Sequence, residues 1–381
     1  MSDQQNVALS VLDLASRKDT DQGPAPALQR SLALAQHVER LGFTRFWVAE
    51  HHNMDAIVSS ATAVLIGYLA GGTDRIRVGA GGVMLPNHAP LVIAEQFGTL
   101  ESLYPGRIDL GLGRAPGTDP LTARALRNHR SGSSDDFPED IVELQRYLGP
   151  RGPGQKIIAM PGMDSNVPIW ILGSSTSSAQ LAAEIGLPYA FASHFAPRMM
   201  MQAIELYRRH FKPSVVLGKP YVMLGVPLVA ADTDGHAEFL ATTTYQRILA
   251  LVRGQSLLMR PPVQSMQDLW QPHEERAVKE FLSIAMIGSA KTIEQKIQTL
   301  LQHTQADEMI FTCDLYEHKD RLRSFEILAD SQADSLQPTE NTNLSTRTQI
   351  KWYNNSVRNS LYWWLSGLNY CISKDAGDGS A

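Results

Sequence analysis

The chain is predicted to be an α/β protein, specifically a (β/α)8 TIM barrel. Three observations support that fold. Eight short apolar segments of strand character alternate with helical patterns over most of the 381 residues. No linker rich in Pro, Gly or Ser interrupts the alternation before about residue 330, so one barrel is preferred to the two or three domains that ~150 residues per domain would suggest. Finally, Phe46-Trp47-Val48-Ala49 ends abruptly on Glu50-His51-His52-Asn53. A buried strand tipped with titratable groups is what a barrel mouth needs and a plain core does not.

The elements follow in order. Val7 to Leu12 reads as the first strand. A helix is expected over Pro26 to Leu41, with Leu28, Leu32, Leu34, Ala35 and Val38 near helical spacing and Gly42 as its stop. Strands are then expected at Thr44–Ala49, Ile76–Val83, Ile108–Leu112, Ile169–Leu172, Tyr189–Ala192, Val222–Val229 and Met309–Cys313. The helical patterns between them cover Ser59–Leu69, Leu91–Leu103, Glu139–Leu148, Ala179–Ile185, Arg198–His210, Ala237–Val252 and Ile293–Leu301. The barrel thus occupies residues 1–330. Residues 331–381 stand apart, a polar linker followed by a tail carrying Trp352, Tyr353, Tyr362, Trp363 and Trp364. That tail is expected to dock or stay disordered, without a part in catalysis.

Composition narrows the function class. A net charge of -5 with 43% hydrophobic residues supplies a core and no cationic field for nucleic acid. No apolar run approaches the ~18 residues of a membrane span, and the first residues lack signal-peptide character. A cytoplasmic protein is expected, and two cysteines, Cys313 and Cys371, fit a reducing compartment.

Strand ends facing the mouth carry the candidate chemistry. After the fifth strand, Gly173 is followed by Ser174, Ser175, Thr176, Ser177 and Ser178. Small hydroxyl residues entering a helix can cradle an anion on free N–H groups; the bland alternative is that Ser177 or Ser178 caps the helix. Arg114, just past the fourth strand, can reach a phosphate or pair with Asp119. Gly81 and Gly82 remove two side chains from a buried strand, which marks a bulge, a close ligand or tight helix packing. His51 and His52 are adjacent and point to opposite faces of a strand, so they do not chelate one metal together, and no metal is expected. One imidazole faces the mouth, with Glu50 and Asn53 as candidate orienting partners. Trp47, Met84, Leu112, Phe191 and Phe195 suggest either an apolar pocket or ordinary core.

Taken together, Glu50-His51-His52, the Gly79–Pro86 strand, Tyr104-Pro105-Gly106-Arg107-Ile108-Asp109-Leu110-Gly111-Leu112-Gly113-Arg114, and Leu172-Gly173-Ser174-Ser175 with Ala182–Pro188 resemble the bacterial luciferase-like monooxygenase family over about residues 6 to 330. The resemblance implies a flavin-dependent oxidoreductase, a monooxygenase that uses reduced FMN and O2 on a small organic substrate, the flavin being supplied by a separate reductase. It implies His51 as the catalytic histidine, Gly81-Gly82 as a non-proline cis peptide beneath the flavin, Arg114 near the phosphate, and Ser174 to Ser178 as the phosphate loop. A homo-oligomer is compatible with it. Luciferases carry a reactive cysteine where this chain has Leu112, so light emission is not expected. Two alternatives stay open: a deazaflavin-dependent dehydrogenase, and a flavin-binding barrel without turnover.

Overall fold

A computed structural model describes residues 7–115, 117–127 and 136–332. The chain runs β1 (Ala8–Asp13), α1 (Ala25–Arg40), β2 (Arg45–Val48), α2 (Thr62–Gly71), β3 (Arg77–Met84), α3 (Pro90–Leu103), β4 (Ile108–Gly113), α4 (Pro120–Arg127) and α5 (Phe137–Leu148). It continues through β5 (Ile169–Gly173), α6 (Thr176–Ile185), β6 (Tyr189–Phe191), α7 (Met200–His210), β7 (Val222–Ala230), α8 (Asp234–Val252), α9 (Pro272–Phe281), β8 (Met286–Gly288), α10 (Ala290–Thr304), β9 (Glu308–Thr312) and α11 (His318–Ser331). Strands β1 to β7 pair in sequence order, β9 joins β7 to β1, and every pairing is parallel. The ring therefore closes as an eight-stranded barrel. Strand β8 lies outside it, paired to the far end of β7.

Alternation along the strands builds two cores. Outward residues such as Phe46, Val48, Val78, Leu110 and Leu224 meet the helices in one large apolar layer. Inward residues form a smaller cluster of Leu12, Trp47, Ala49, Trp170, Met223 and Ile310 inside the barrel. Below that cluster an ionic plug closes the N-terminal end. Arg45 pairs with Glu308 at 2.7 Å and Asp109 at 2.8 Å, and Trp47 Nε1 donates to Asp109 at 3.1 Å. Ligands are consequently confined to the opposite, C-terminal mouth.

Helix α1 buries Leu34, Ala35 and Val38, and Gly42 follows at φ +83°, the left-handed conformation a helix terminator needs. All eight expected barrel strands are present. Helices α4, α9 and α11 and strand β8 were not expected from the sequence. In α11 one buried contact is ionic, Arg321 with Asp13 at 2.8 Å, so the apolar stripe of Phe325 and Leu328 is too short to stand out. In α9, Glu274 is buried against Arg253 at 2.7 Å, which hides the inner face in the same way. Helix α11 ends at Ser331. The expectations for residues 333–381, Cys371 and the aromatic segment among them, lie outside the described residues. No described helix is long and apolar enough to cross a membrane.

Candidate active site at the barrel mouth

Strand β2 stops at Val48, and the chain then places alternate residues in different surroundings. Ala49 belongs to the interior cluster; Glu50 turns outward and is almost fully buried. Glu50 Oε1 accepts from His52 Nε2 at 2.9 Å and His88 Nε2 at 2.8 Å, while Oε2 accepts from the Met84 amide at 3.2 Å. Burial opposes the Glu50 charge more than any single contact favours it, yet the two imidazoles and their hydrogen bonds hold its carboxyl below the usual range. These three side chains converge within 4.8 Å. Their separations are those of hydrogen bonds between ligand atoms, so the group acts as a clasp tying the end of β2 to the end of β3.

His51 is the imidazole left for the mouth. It interacts most strongly with the Gly117 carbonyl and the Arg247 guanidinium from α8, and the Glu50 carboxylate adds a weaker charge attraction. The hydrogen bonds of the two expected orienting partners go elsewhere: Glu50 accepts from His52 and His88 and acts on His51 by charge alone, and Asn53 Nδ2 donates to Asp119 at 3.0 Å. Burial pushes the His51 pKa down, and the Arg247 cation adds to that, so the ring is neutral near pH 7. Arg247 is itself fixed, with Nη1 2.7 Å from Asp314 Oδ1 and 2.8 Å from Ser16 Oγ.

The peptide between Gly81 and Gly82 is cis, and the pairing of β3 with β4 shifts register between Ala80 and Val83. A Cβ on Gly81 would strike Leu12 at 2.7 Å and Trp47 at 3.1 Å, so this glycine lies against the interior cluster that floors the mouth.

On the neighbouring strands, the register sets Gly113 beside Leu172, which brings Arg114 level with Gly173. Arg114 is exposed and has no ion-pair partner among the described residues. The alternative pairing with Asp119 does not form, because Asp119 caps α4, accepting from the Leu121 amide at 2.9 Å and the Thr122 hydroxyl at 2.6 Å. Helix α6 begins at Thr176 instead of Ala179, and its cap is Ser175, whose hydroxyl accepts from the Ser178 amide at 3.4 Å. Neither capping candidate from the sequence, Ser177 or Ser178, fills that role. Ser178 is buried and donates to the Ser175 carbonyl at 2.8 Å. The hydroxyls of Ser174, Thr176 and Ser177 make no hydrogen bond among the described residues, so they and the first amides of α6 remain open to an anion.

Of the apolar residues singled out in the sequence, Trp47 lies in the barrel interior, whereas Leu112 and Phe191 belong to the outer core. Phe195 stands at the rim, 52% exposed. His88 falls in the polar end of the third strand segment, without a role assigned from the sequence, and His194, Arg247 and Asp314 were not expected at the site. His194 and Asp314 also end strands, and a census of β6 and β9 would have reached them; Arg247 lies mid-helix and carried no signal.

The sequence profile of the family described as luciferase-like monooxygenase matches residues 8–308. A protein of Escherichia coli strain K12 named luciferase-like monooxygenase is 49% identical over 330 residues, spanning 87% of this chain and 98% of that protein. The crystal structure of apo-MsnO8 superimposes with a TM-score of 0.80 at 35% identity, covering 85% of this chain and 98% of that one. A type II Baeyer–Villiger monooxygenase, the oxygenating constituent of 3,6-diketocamphane monooxygenase solved with FMN, shares the fold at 17% identity and a TM-score of 0.66, covering 87% and 98%. With a closed barrel, a relative 49% identical and a matched profile over most of its length, this chain belongs to the luciferase-like monooxygenase family.

Proposed function

We propose that the protein is a flavin-dependent monooxygenase that takes reduced FMN, delivered by a separate reductase, and uses O2 to oxidise a small organic substrate. The observation that carries this reading is the meeting of three unsatisfied anion-binding features on adjacent strands: the Arg114 cation, the hydroxyls of Ser174, Thr176 and Ser177, and the open amides of α6. They suit a phosphate monoester. The apolar floor beside Gly81 and Gly82 suits the face of a planar ring, and the two features lie on consecutive strands of the barrel.

Arg114 and Ser174 to Ser177 would hold the phosphate, with Ser175 shaping the turn as cap. Gly81 and Gly82 would let the ring approach the backbone. The reduced flavin, when bound, supplies the electrons that activate O2. His51, neutral and held between the Gly117 carbonyl and Arg247, would accept or return one proton at the reacting end. The clasp of Glu50 with His52 and His88 fixes the backbone from which His51 projects. The test is oxygen uptake by purified protein with reduced FMN, paired with a mass-spectrometric search for products gaining one oxygen from aldehydes, alkanes and ketones. Uptake with such a product supports the proposal. Reduction of an oxidised deazaflavin by substrate without oxygen uptake would replace it with a dehydrogenase, and tight flavin binding without either would leave a binding protein.

A further inference from the structure

Strand β7 has a gap in its inner face. Tyr221 and Met223 point to the barrel interior, Val222 and Leu224 to the outer core, so Gly225 holds the next interior position. A Cβ there would lie 2.6 Å from Nδ1 and 2.9 Å from Cε1 of His194. The missing side chain is therefore the space in which this imidazole sits. His194 follows β6, and its ring packs 4.4 Å, centroid to centroid, from Phe195, which in turn meets Phe281 of α9 edge-on at 6.2 Å.

The two ring nitrogens differ. Nδ1 is sealed from solvent and makes no well-formed hydrogen bond. The Gly225 carbonyl beside it favours a proton there, although that oxygen is already taken by the Ser193 hydroxyl at 2.7 Å. Nε2 is not sealed and has no partner among the described residues. With the proton on Nδ1, Nε2 presents a lone pair. Burial lowers the His194 pKa to about 4, His51 adds repulsion and Asp314 opposes, so the ring stays neutral and keeps that lone pair free. His194, His51, Arg247 and Asp314 thus share one electrostatic neighbourhood above the interior cluster.

Its place on the rim decides what it meets. Strand β6 adjoins β5, the strand that carries the open hydroxyls and amides. The interior cluster that forms the floor includes Ala190 of β6 and Met223 of β7 as well as Leu12 and Trp47, so a planar group laid across it from the β4–β5 side has the β6–β7 rim along another edge. We propose that His194 is a further cofactor-contacting residue, its Nε2 accepting a hydrogen bond from a ring N–H of the flavin, and that Gly225 is the position that makes room for it. The inference rests on the flavin reading above for the identity of the ligand.

The test compares FMN with riboflavin by fluorescence titration of the full chain. Changing His194→Ala is expected to weaken both about tenfold, the loss of one neutral hydrogen bond, because the contact is to the shared ring. His194→Asn, which keeps a short acceptor, is expected to restore part of the affinity. Gly225→Ala displaces the imidazole without removing it and is expected to weaken both flavins in parallel, which keeps the test open if His194→Ala folds poorly by thermal melt. Unchanged affinities in folded His194→Ala, or weakening of FMN alone, would overturn the assignment while leaving the flavin reading intact. Failure of the wild-type chain to bind either flavin would overturn both.

Discussion

Arg247 and Asp314 are joined at 2.7 Å across the barrel mouth, so a cation from α8 is pinned beside His51 by a carboxylate at the end of β9. The pair sets the charge around His51, the proposed proton-transfer group. Replacing Arg247 by Met removes a repulsive cation while burial, the larger cause, remains, so the His51 pKa should rise but stay below its ordinary value. Histidine NMR titration reads this directly. A His51 resonance that titrates at the same or lower pH in the variant would show that burial alone sets its state.

Arg114 is expected to act on phosphate and not on the ring. Charge-assisted hydrogen bonds are worth ~1.5–3 kcal/mol, so Arg114→Ala should weaken FMN about tenfold or more and riboflavin much less. Because Arg114 is exposed and without an ion-pair partner among the described residues, its loss should leave thermal stability almost unchanged. Parallel weakening of both ligands would remove it from the phosphate site.

The two adjacent histidines should separate cleanly. His51→Ala is expected to lower turnover about 100-fold with flavin affinity and melting temperature nearly intact, the usual scale for a lost acid or base. His52→Ala breaks a hydrogen bond to the buried Glu50 carboxylate and should cost about 1.5–3 kcal/mol of stability, seen in urea unfolding. A stable, inactive His52 variant beside an active His51 variant would mean that the roles are reversed.

Acid should destabilise the protein through His194 before most carboxylates protonate. Its folded pKa, about 4, lies below the ~6.5 of the unfolded chain, so the unfolded state binds the extra proton first. The stability tied to this neutral ring is complete above about pH 6.5 and is lost as pH falls toward 4. The loss is about 2 kcal/mol between pH 7 and pH 5. His51, also lowered, adds to this loss in the same window, and the lowered Glu50 carboxyl adds its own only at more acid pH, below the ordinary carboxyl value. Comparison of denaturant midpoints at the two pH values should show the loss in the wild type and a smaller one in His194→Asn; equal losses would assign the effect elsewhere.

The barrel was legible in the sequence because each of its strands is buried on both faces and reads as a short apolar run, and such runs survive without knowledge of their neighbours. The candidates His51 and Ser174–Ser177 could be picked out because they sit where a strand gives way to polar residues, and the Gly81-Gly82 pairing is visible as written. Helix α11 was not legible, since part of its inner face is Arg321 paired with Asp13, and ionic burial has no hydrophobic period. Partnership was decided only by the tertiary structure. Glu50 lies next to His51 in the chain yet serves His52 and the distant His88, because the turn after Val48 sends its carboxylate outward toward the end of β3. Arg247 reaches His51 from about two hundred residues away, and Gly225 shelters His194 because two neighbouring strands bring them together. Local sequence fixes which way a residue's own strand or helix runs; which charges face one another depends on barrel closure, and that is a property of all eight strands at once.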